Sequence, residues 1–185
     1  MVIMTTGVEL PIKGALLIST PVFIDDRGAF EVSWESYDPF FKERSFAPLS
    51  LQHSYNPAKG TLRGLHFQCI PHGQNKLVTC VSGCVWDVMV DLRPDSPTFQ
   101  QWHATEMSAK SGISVYIPEG CAHGFLTLQH ESTLAYLIEK PYIPEAGSVL
   151  SWDDETVGID WPHREMKMSD RDASAPKWNE CKFEI

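Results

Sequence analysis

The chain has 185 residues, of which 43% are hydrophobic and 21% are charged, so length and composition predict one globular domain spanning residues 1–185. The formal net charge of −9, without any basic run, argues against a nucleic-acid partner, although a few convergent cations could still hold a small anion. No apolar run is long enough to cross a membrane and the N-terminus does not resemble a signal peptide, so we expect no membrane partner and a cytoplasmic location.

The N-terminal part of the chain alternates short apolar runs with turn residues. Residues 14–20 and 21–24 predict two short strands, and the sequence from Asp25 to Gly28 predicts a turn. Residues 35–43 are weakly amphipathic and predict a helix.

The clearest strand pair covers Lys76–Val81 and Cys84–Leu92, joined by a turn at Ser82 and Gly83. In the second strand every other residue is apolar, while the residues between them are mixed. This period of two is typical of a strand with one buried face.

Further short strands follow at nearly regular spacing; they are predicted over residues 99–107, 113–117, 125–128, 133–138 and 149–152. Many short strands separated by turn residues indicate an all-β sandwich or barrel. The tail beyond Trp161 and Pro162 is polar, and we expect it to wrap the domain with short helical turns.

One stretch of the chain has the pattern of barrel strands but also contains a histidine, an arginine and a lysine. Residues 60–68 have the sequence GTLRGLHFQ, which contains Arg63 and His66, and Lys76 begins the next strand. A single histidine in such a wall is more often structural than catalytic. With Arg63 and Lys76 nearby, the pattern favours a functional site over a core.

Two spacings in the chain resemble the motifs of cupin barrels. Gly112, Pro118, Gly120 and His123 match the second motif, G-x5-P-x-G-x2-H. The first motif is altered, because Gln68 stands where a second histidine is expected and Lys76 stands where a glutamate is expected. An ammonium group has no free lone pair and repels a metal ion, so we predict neither a metal site nor a metal cofactor. A metal-dependent cupin stays open as the alternative class.

The chain resembles the dTDP-4-dehydrorhamnose 3,5-epimerase family of sugar-nucleotide epimerases. The segments that carry the resemblance include RGLHFQ at residues 63–68, PEGCAHGF at 118–125 and DRGAF at 26–30, and the match covers about residues 14–172. The resemblance implies a cupin-type β-jelly roll with short peripheral helices. It also implies a cofactor-free isomerase that inverts C3, C5 or both in a nucleotide-linked 4-keto-6-deoxy sugar, for deoxysugar and polysaccharide biosynthesis. A homodimer with N-terminal strands crossing between subunits is implied as well.

The same resemblance assigns the catalytic groups. It makes His66 the base that removes a proton next to the ketone, positioned and made more basic by the carboxylate of Asp172. Tyr136 corresponds to the acid on the opposite face of the sugar, and Lys76 can stabilise the enolate oxygen. From its strand pattern alone Tyr136 would be a core residue, and Asp172 in a polar tail would be solvated.

The substrate-binding groups are likewise implied by the resemblance. Positions that hold the diphosphate and the sugar are filled by Arg27, Arg63, His123 and Arg171, the last where the family has lysine. Tyr142 corresponds to the aromatic residue that stacks on the base, and Gln52 and Glu145 fall on further substrate-binding positions. Structural alternatives stay open at two of these positions, since His123 could be a hydrogen-bonded core histidine and Tyr142 could serve only in packing.

Besides Arg171, four positions depart from the usual family pattern. Val32 replaces an acidic residue, Ser50 and Gln52 replace two polar residues, and Leu137 stands where a lysine commonly follows the tyrosine. These changes leave the identity of the substrate open. The alternatives are an epimerase acting at C3 only or C5 only on a GDP-, CDP- or UDP-sugar, and a non-catalytic binder of sugar nucleotides.

Overall fold

The computed structural model describes residues 5–163, 165–181, 183 and 185. Within them the strands are β1 (Thr6–Glu9), β2 (Leu16–Ser19), β3 (Val22–Asp25), β4 (Gly28–Glu31), β5 (Ser50–Asn56), β6 (Leu62–Gln68), β7 (Lys76–Ser82), β8 (Cys84–Asp91), β9 (Trp102–Ser108), β10 (Ile113–Ile117), β11 (Cys121–Thr127), β12 (Ser132–Ile138) and β13 (Gly147–Val149). The helices are α1 (Pro39–Glu43) and α2 (Asp170–Ala173), with 3₁₀ turns at Pro144–Ala146 and Trp178–Glu180.

The strands form two antiparallel sheets and one separate hairpin, which confirms the predicted all-β jelly roll. The six-stranded sheet has the order β1-β2-β10-β7-β12-β5, and the five-stranded sheet has the order β13-β6-β11-β8-β9. The hairpin consists of β3 and β4. No helix among the described residues is long and apolar enough to span a membrane.

Three apolar clusters hold the sheets and their covering segments together. The inner cluster joins the two sheets and includes Val78, Leu134, Met89 and Phe125. A second cluster packs the C-terminal segment, through Trp161 and other residues, against the outer face of the five-stranded sheet. A third packs α1 against the outer face of the six-stranded sheet. The C-terminal segment therefore wraps the barrel, as its composition predicts.

Several observed boundaries differ from the sequence predictions. The N-terminal helix begins only at Pro39, because the Asp38 side chain accepts a hydrogen bond of 2.8 Å from the Phe40 N–H and so caps the helix there. The strand predicted over residues 125–128 begins at Cys121, and the strand predicted over residues 149–152 ends at Val149. Strand β5 is not predicted from the sequence, because most of its residues are exposed and its apolar residues do not alternate with polar ones.

A β-bulge at Gly64 brings Arg63 and His66 to the same face of β6. In the pairing with β11, His66 lies opposite His123 and Arg63 lies opposite Phe125, so three steps along β6 match two steps along β11. Strict alternation would have placed Arg63 and His66 on opposite faces. Gly64 has a φ of +134°, a conformation that side chains rarely adopt.

Replacing Gly64 with alanine should lower the free energy of unfolding by about 3 kcal/mol or more. The added Cβ would lie 2.5 Å from Gly124 Cα and 3.0 Å from the His123 carbonyl oxygen. The control is Gly158→Ala, which has a φ of +64° but no closer contact than 3.7 Å, so backbone strain alone predicts a loss of about 1 kcal/mol. Urea unfolding measures both losses, and equal losses would show that the bulge tolerates a side chain.

Candidate active site

A pocket of about 440 Å³ lies inside the barrel and is lined by residues of both sheets. Strands β6 and β11 supply one wall, and β5, β7 and β12 supply the other. Eight of the residues singled out in the sequence line this pocket: Gln52, Arg63, His66, Lys76, His123, Tyr136, Tyr142 and Arg171.

His66 and Asp172 form a hydrogen-bonded pair at the edge of the pocket. The distance from His66 Nε2 to Asp172 Oδ1 is 2.8 Å, and the backbone N–H of Gly64 donates to Asp172 Oδ2 over 3.3 Å. The His66 side chain is 43% exposed, whereas that of Asp172 is 5% exposed. The chain brings Asp172 to this point because the Lys167 backbone pairs with the start of β6 and the Ser169 side chain caps α2.

The Asp172 carboxyl is held in its ionised form. Burial by itself would raise its pKa, but the hydrogen bond and the charge of His66, together with the Gly64 N–H, outweigh burial and lower the pKa. An ionised carboxylate only accepts hydrogen bonds, so His66 Nε2 carries the hydrogen. In the neutral imidazole, the lone pair of His66 Nδ1 then remains as a proton acceptor.

A second histidine–carboxylate pair lies deeper in the same pocket. His123 Nε2 is 2.7 Å from Asp87 Oδ2, and the two side chains are 6% and 1% exposed. Sequence reasoning did not assign a site role to Asp87. The signal that could have found it is a carboxylate within the apolar strand Cys84–Leu92, where a buried charge requires a partner.

Tyr136 lies on β12, across the pocket from His66. Its ring packs edge-on against the ring of His123, with centroids 6.0 Å apart. Burial, followed by the negative charge of Asp87, raises the pKa of Tyr136, whereas the Ser54 hydroxyl and Arg63 oppose the rise. The phenol therefore carries its proton at neutral pH.

Lys76 supplies a cation at the start of β7. Burial lowers its pKa to about 8, and the charges of Asp87 and Cys121 oppose that effect. Among the described residues, no hydrogen bond or ion pair engages the Lys76 ammonium. Its charge is therefore available to a ligand in the pocket.

A buried amide holds the second cation of the pocket in place. Arg63 Nε donates to Asn56 Oδ1 over 2.8 Å. Asn56 is 1% exposed, and its own amide nitrogen donates to the backbone oxygens of Ser54 and Ser132. The bond at Nε fixes the Arg63 guanidinium against β5 and leaves its two terminal nitrogens for a ligand.

Two of the predicted binding residues lie outside the pocket. Arg27 is in the turn of the β3–β4 hairpin, where its highly exposed guanidinium pairs with Asp25. Glu145 is exposed in the 3₁₀ turn Pro144–Ala146. Both positions were inferred by resemblance, and one chain does not bring either side chain to the pocket wall.

The departures from the family pattern fall mostly outside the pocket as well. Leu137 packs with Leu77 on the outer face of the six-stranded sheet. Val32 and Ser50 do not contribute to the pocket wall, whereas Gln52 does. Gln52 and Arg171, the latter in place of the family's lysine, are therefore the departures that line the pocket.

The described residues contain no cluster of three or more histidine, cysteine or acidic side chains with the arrangement of a metal site. The amide of Gln68, at one cupin ligand position, bonds to backbone groups of neighbouring loops. The cysteines are all free thiols.

The family model for dTDP-4-dehydrorhamnose 3,5-epimerase matches residues 9–180. The epimerase of that name from Salmonella typhimurium is 40% identical over 174 residues, which cover 91% of this chain and 93% of the relative. A crystal structure from Bacillus anthracis with TDP and PPi bound has a TM-score of 0.88 and 34% identity, covering 94% of this chain and 99% of that one. A structure from Legionella pneumophila in complex with dTDP-4-keto-L-rhamnose has a TM-score of 0.89 and 32% identity, covering 96% and 95%.

Replacing Lys76 with methionine should raise the free energy of unfolding at pH 7 by about 1–3 kcal/mol, because a buried ammonium is costly and methionine fills similar space. Below pH 8 the lysine is protonated in both states and the cost is fully present. Between pH 8 and about 10.5 the folded protein loses this proton first, so the wild type should gain stability relative to the variant.

The control for this variant is Lys140→Met, which removes an exposed lysine paired with Glu119. We expect it to change the free energy of unfolding by less than about 1 kcal/mol, with the wild-type pH dependence. Urea unfolding at pH 7 and pH 9 measures both variants. Destabilisation by Lys76→Met, or a pH dependence identical to that of the wild type, would contradict a costly buried ammonium.

Proposed function

Because the chain belongs to the dTDP-4-dehydrorhamnose 3,5-epimerase family, we propose that its pocket inverts C3 and C5 of a 4-keto-6-deoxy sugar carried by thymidine diphosphate. The protein is an epimerase, and its reaction belongs to deoxysugar biosynthesis. The relatives from Bacillus anthracis and Legionella pneumophila, which bind TDP and dTDP-4-keto-L-rhamnose, support thymidine diphosphate as the carrier.

One observation carries the proposal: a proton acceptor and a proton donor face each other across the same pocket. His66 belongs to the five-stranded sheet and Tyr136 to the six-stranded sheet, and both line the cavity. Inversion at a carbon requires removal of a proton from one face and delivery of a proton to the other. Two groups on opposite walls meet that requirement.

The proposed first step is proton abstraction by His66. Its Nδ1 takes the proton from the carbon next to the ketone, and the Asp172 carboxylate, 2.8 Å from Nε2, stabilises the imidazolium that forms. The electron pair of the broken C–H bond moves to the ketone oxygen and forms an enolate. Lys76 provides the unpaired positive charge that stabilises this oxygen.

The second step is proton delivery by Tyr136. Its protonated phenol gives a proton to the same carbon from the other face, and the electron pair returns from the enolate oxygen to that carbon. The resulting phenolate and the imidazolium of His66 are restored by proton exchange with solvent. The same cycle at the second carbon completes the 3,5-epimerisation.

The other charged residues are proposed to hold the nucleotide. Arg63, Arg171 and His123 line the pocket and suit a diphosphate and a sugar hydroxyl, since guanidinium groups bind phosphate in a fork. Tyr142 is 53% exposed at the pocket and can stack on the base.

We further propose a cytoplasmic homodimer. Among the described strands, β5 forms one edge of the six-stranded sheet, and it exposes Leu51 and Tyr55. The β3–β4 hairpin exposes Ile24 and Phe30. A second copy would cover these apolar surfaces, and the hairpin could then carry Arg27 to the nucleotide site of the other subunit.

Substitutions of His66 and Tyr136 should have different effects on hydrogen–deuterium exchange at C3 and C5 and on inversion of configuration at these carbons. In deuterium oxide the wild type should introduce deuterium at C3 and C5 of the dTDP-4-keto-6-deoxy sugar. His66→Asn should reduce exchange at both carbons by about 10³-fold, because the base is gone. Tyr136→Phe should keep exchange at the first carbon attacked while net inversion falls by about 10²-fold, because only the acid is gone.

The matched control is His130→Asn, which changes an exposed histidine outside the pocket and should exchange like the wild type. NMR of the recovered sugar reads deuterium and configuration at each carbon. Wild-type exchange in His66→Asn would remove His66 from the mechanism. Absence of wild-type exchange on the dTDP-sugar, together with exchange on a GDP-, CDP- or UDP-sugar, would overturn the proposed carrier.

A further inference from the structure

Gln68 occupies the cupin position of a metal-ligating histidine, yet its side chain makes a different set of bonds. Its amide nitrogen donates to the backbone oxygens of His72, over 2.8 Å, and Pro141, over 3.2 Å. Its amide oxygen accepts a hydrogen bond of 2.7 Å from the backbone N–H of Ile143. Gln68 is 6% exposed, so both amide donors and the acceptor are used within the protein.

These bonds tie together the two loops that border the pocket. His72 lies in the connection from β6 to β7, whereas Pro141 and Ile143 lie in the connection from β12 to β13. A second buried amide, that of Gln74, donates to the backbone oxygens of Lys140, over 2.9 Å, and Pro141, over 3.2 Å. Residues 139–146, which connect β12 to β13, lie outside the strands, so side-chain amides replace a ladder of backbone hydrogen bonds there.

Tyr142 is the residue held between these anchor points. The residues on either side of it, Pro141 and Ile143, are both bonded to the Gln68 amide. Its ring lies so close to Gly147 that an added Cβ there would be 2.8 Å from the Tyr142 hydroxyl oxygen. The bonds to Pro141 and Ile143, together with the contact with Gly147, therefore fix the orientation of the Tyr142 ring, which is otherwise exposed to the pocket.

We propose that Gln68 is a positioning residue that fixes Tyr142 for the nucleoside end of the ligand. The inference rests on the proposed function, in which Tyr142 stacks on the base. Gln68 follows His66 by two residues on the same face of β6. The same strand therefore positions both the proposed base, His66, and the glutamine that holds Tyr142 in place. The metal-ligand position of the cupin pattern thus has a structural role in nucleotide recognition.

The test compares thymidine diphosphate with inorganic pyrophosphate as ligands of Gln68→Met, measured by calorimetry. Methionine keeps the shape of the side chain but leaves the His72 carbonyl and the Ile143 N–H without their partner, while the Pro141 carbonyl keeps only its bond from Gln74. Affinity for thymidine diphosphate should fall by about 10-fold or more, while affinity for pyrophosphate should change by less than about 2-fold because it lacks the nucleoside. In kinetics, the KM for the dTDP-sugar should rise by a similar factor with kcat nearly unchanged.

A double-variant comparison separates positioning of Tyr142 from general damage. If Gln68 acts through Tyr142, the double variant with Tyr142→Ala should bind thymidine diphosphate no more weakly than Tyr142→Ala alone. Additive losses would overturn the proposal, as would equal losses for pyrophosphate and thymidine diphosphate. Gln129→Met, at an exposed glutamine, is the matched control and should bind both ligands like the wild type.

The outcome also distinguishes this inference from the proposed function. A wild type that binds no thymidine diphosphate overturns both, whereas wild-type affinity in Gln68→Met overturns only the role of Gln68. If Gln68→Met does not fold, Gln68→Glu replaces it. The glutamate carboxylate can still accept a hydrogen bond from the Ile143 N–H, but its other oxygen faces the His72 and Pro141 carbonyls and cannot donate to them. We therefore expect the same loss of affinity for thymidine diphosphate, with affinity for pyrophosphate nearly unchanged.

Discussion

Polar groups inside a barrel must find partners, and this constraint organises the whole pocket. His66 is paired with Asp172, and His123 is paired with Asp87. The amide of Gln68 bonds to three backbone groups of the surrounding loops. Among the described pocket residues, the Lys76 ammonium and the Arg171 guanidinium remain without such a bond, and Lys76 is the group proposed to meet the enolate. The pocket therefore leaves positive charge available to the enolate and the diphosphate of the proposed substrate.

The partners come from distant parts of the chain, which couples the site to the completed fold. Asp172 reaches His66 only after the C-terminal segment has crossed the outside of the five-stranded sheet and bonded to the start of β6. The bulge at Gly64 then turns Arg63 and His66 to the same side. The proposed proton-transfer centre cannot form in an isolated hairpin, because His66 and Asp172 are 106 residues apart.

The fold class and many of the pocket residues could be predicted from the sequence. The backbone irregularities and loop contacts that hold those residues in place could not. Alternation of apolar residues identified β8, and spaced motifs identified His66, Lys76 and His123. The bulge was not predictable from a period of two, and the exposed strand β5 has no apolar pattern. The contacts of Gln68 depend on loops whose path is set by tertiary packing. Arg27 was assigned by resemblance, and its distance from the pocket became visible only with the hairpin in place.

In the proposed mechanism, the Lys76 ammonium performs the charge stabilisation that a metal ion provides in other cupins. The most direct test is turnover of the dTDP-4-keto-6-deoxy sugar by protein treated with a strong chelator, with residual metal measured by elemental analysis. We expect metal-free protein to turn over the sugar at the rate of untreated protein, and we expect added metal not to increase that rate. Loss of turnover on treatment, restored by iron, zinc or manganese, would contradict this mechanism.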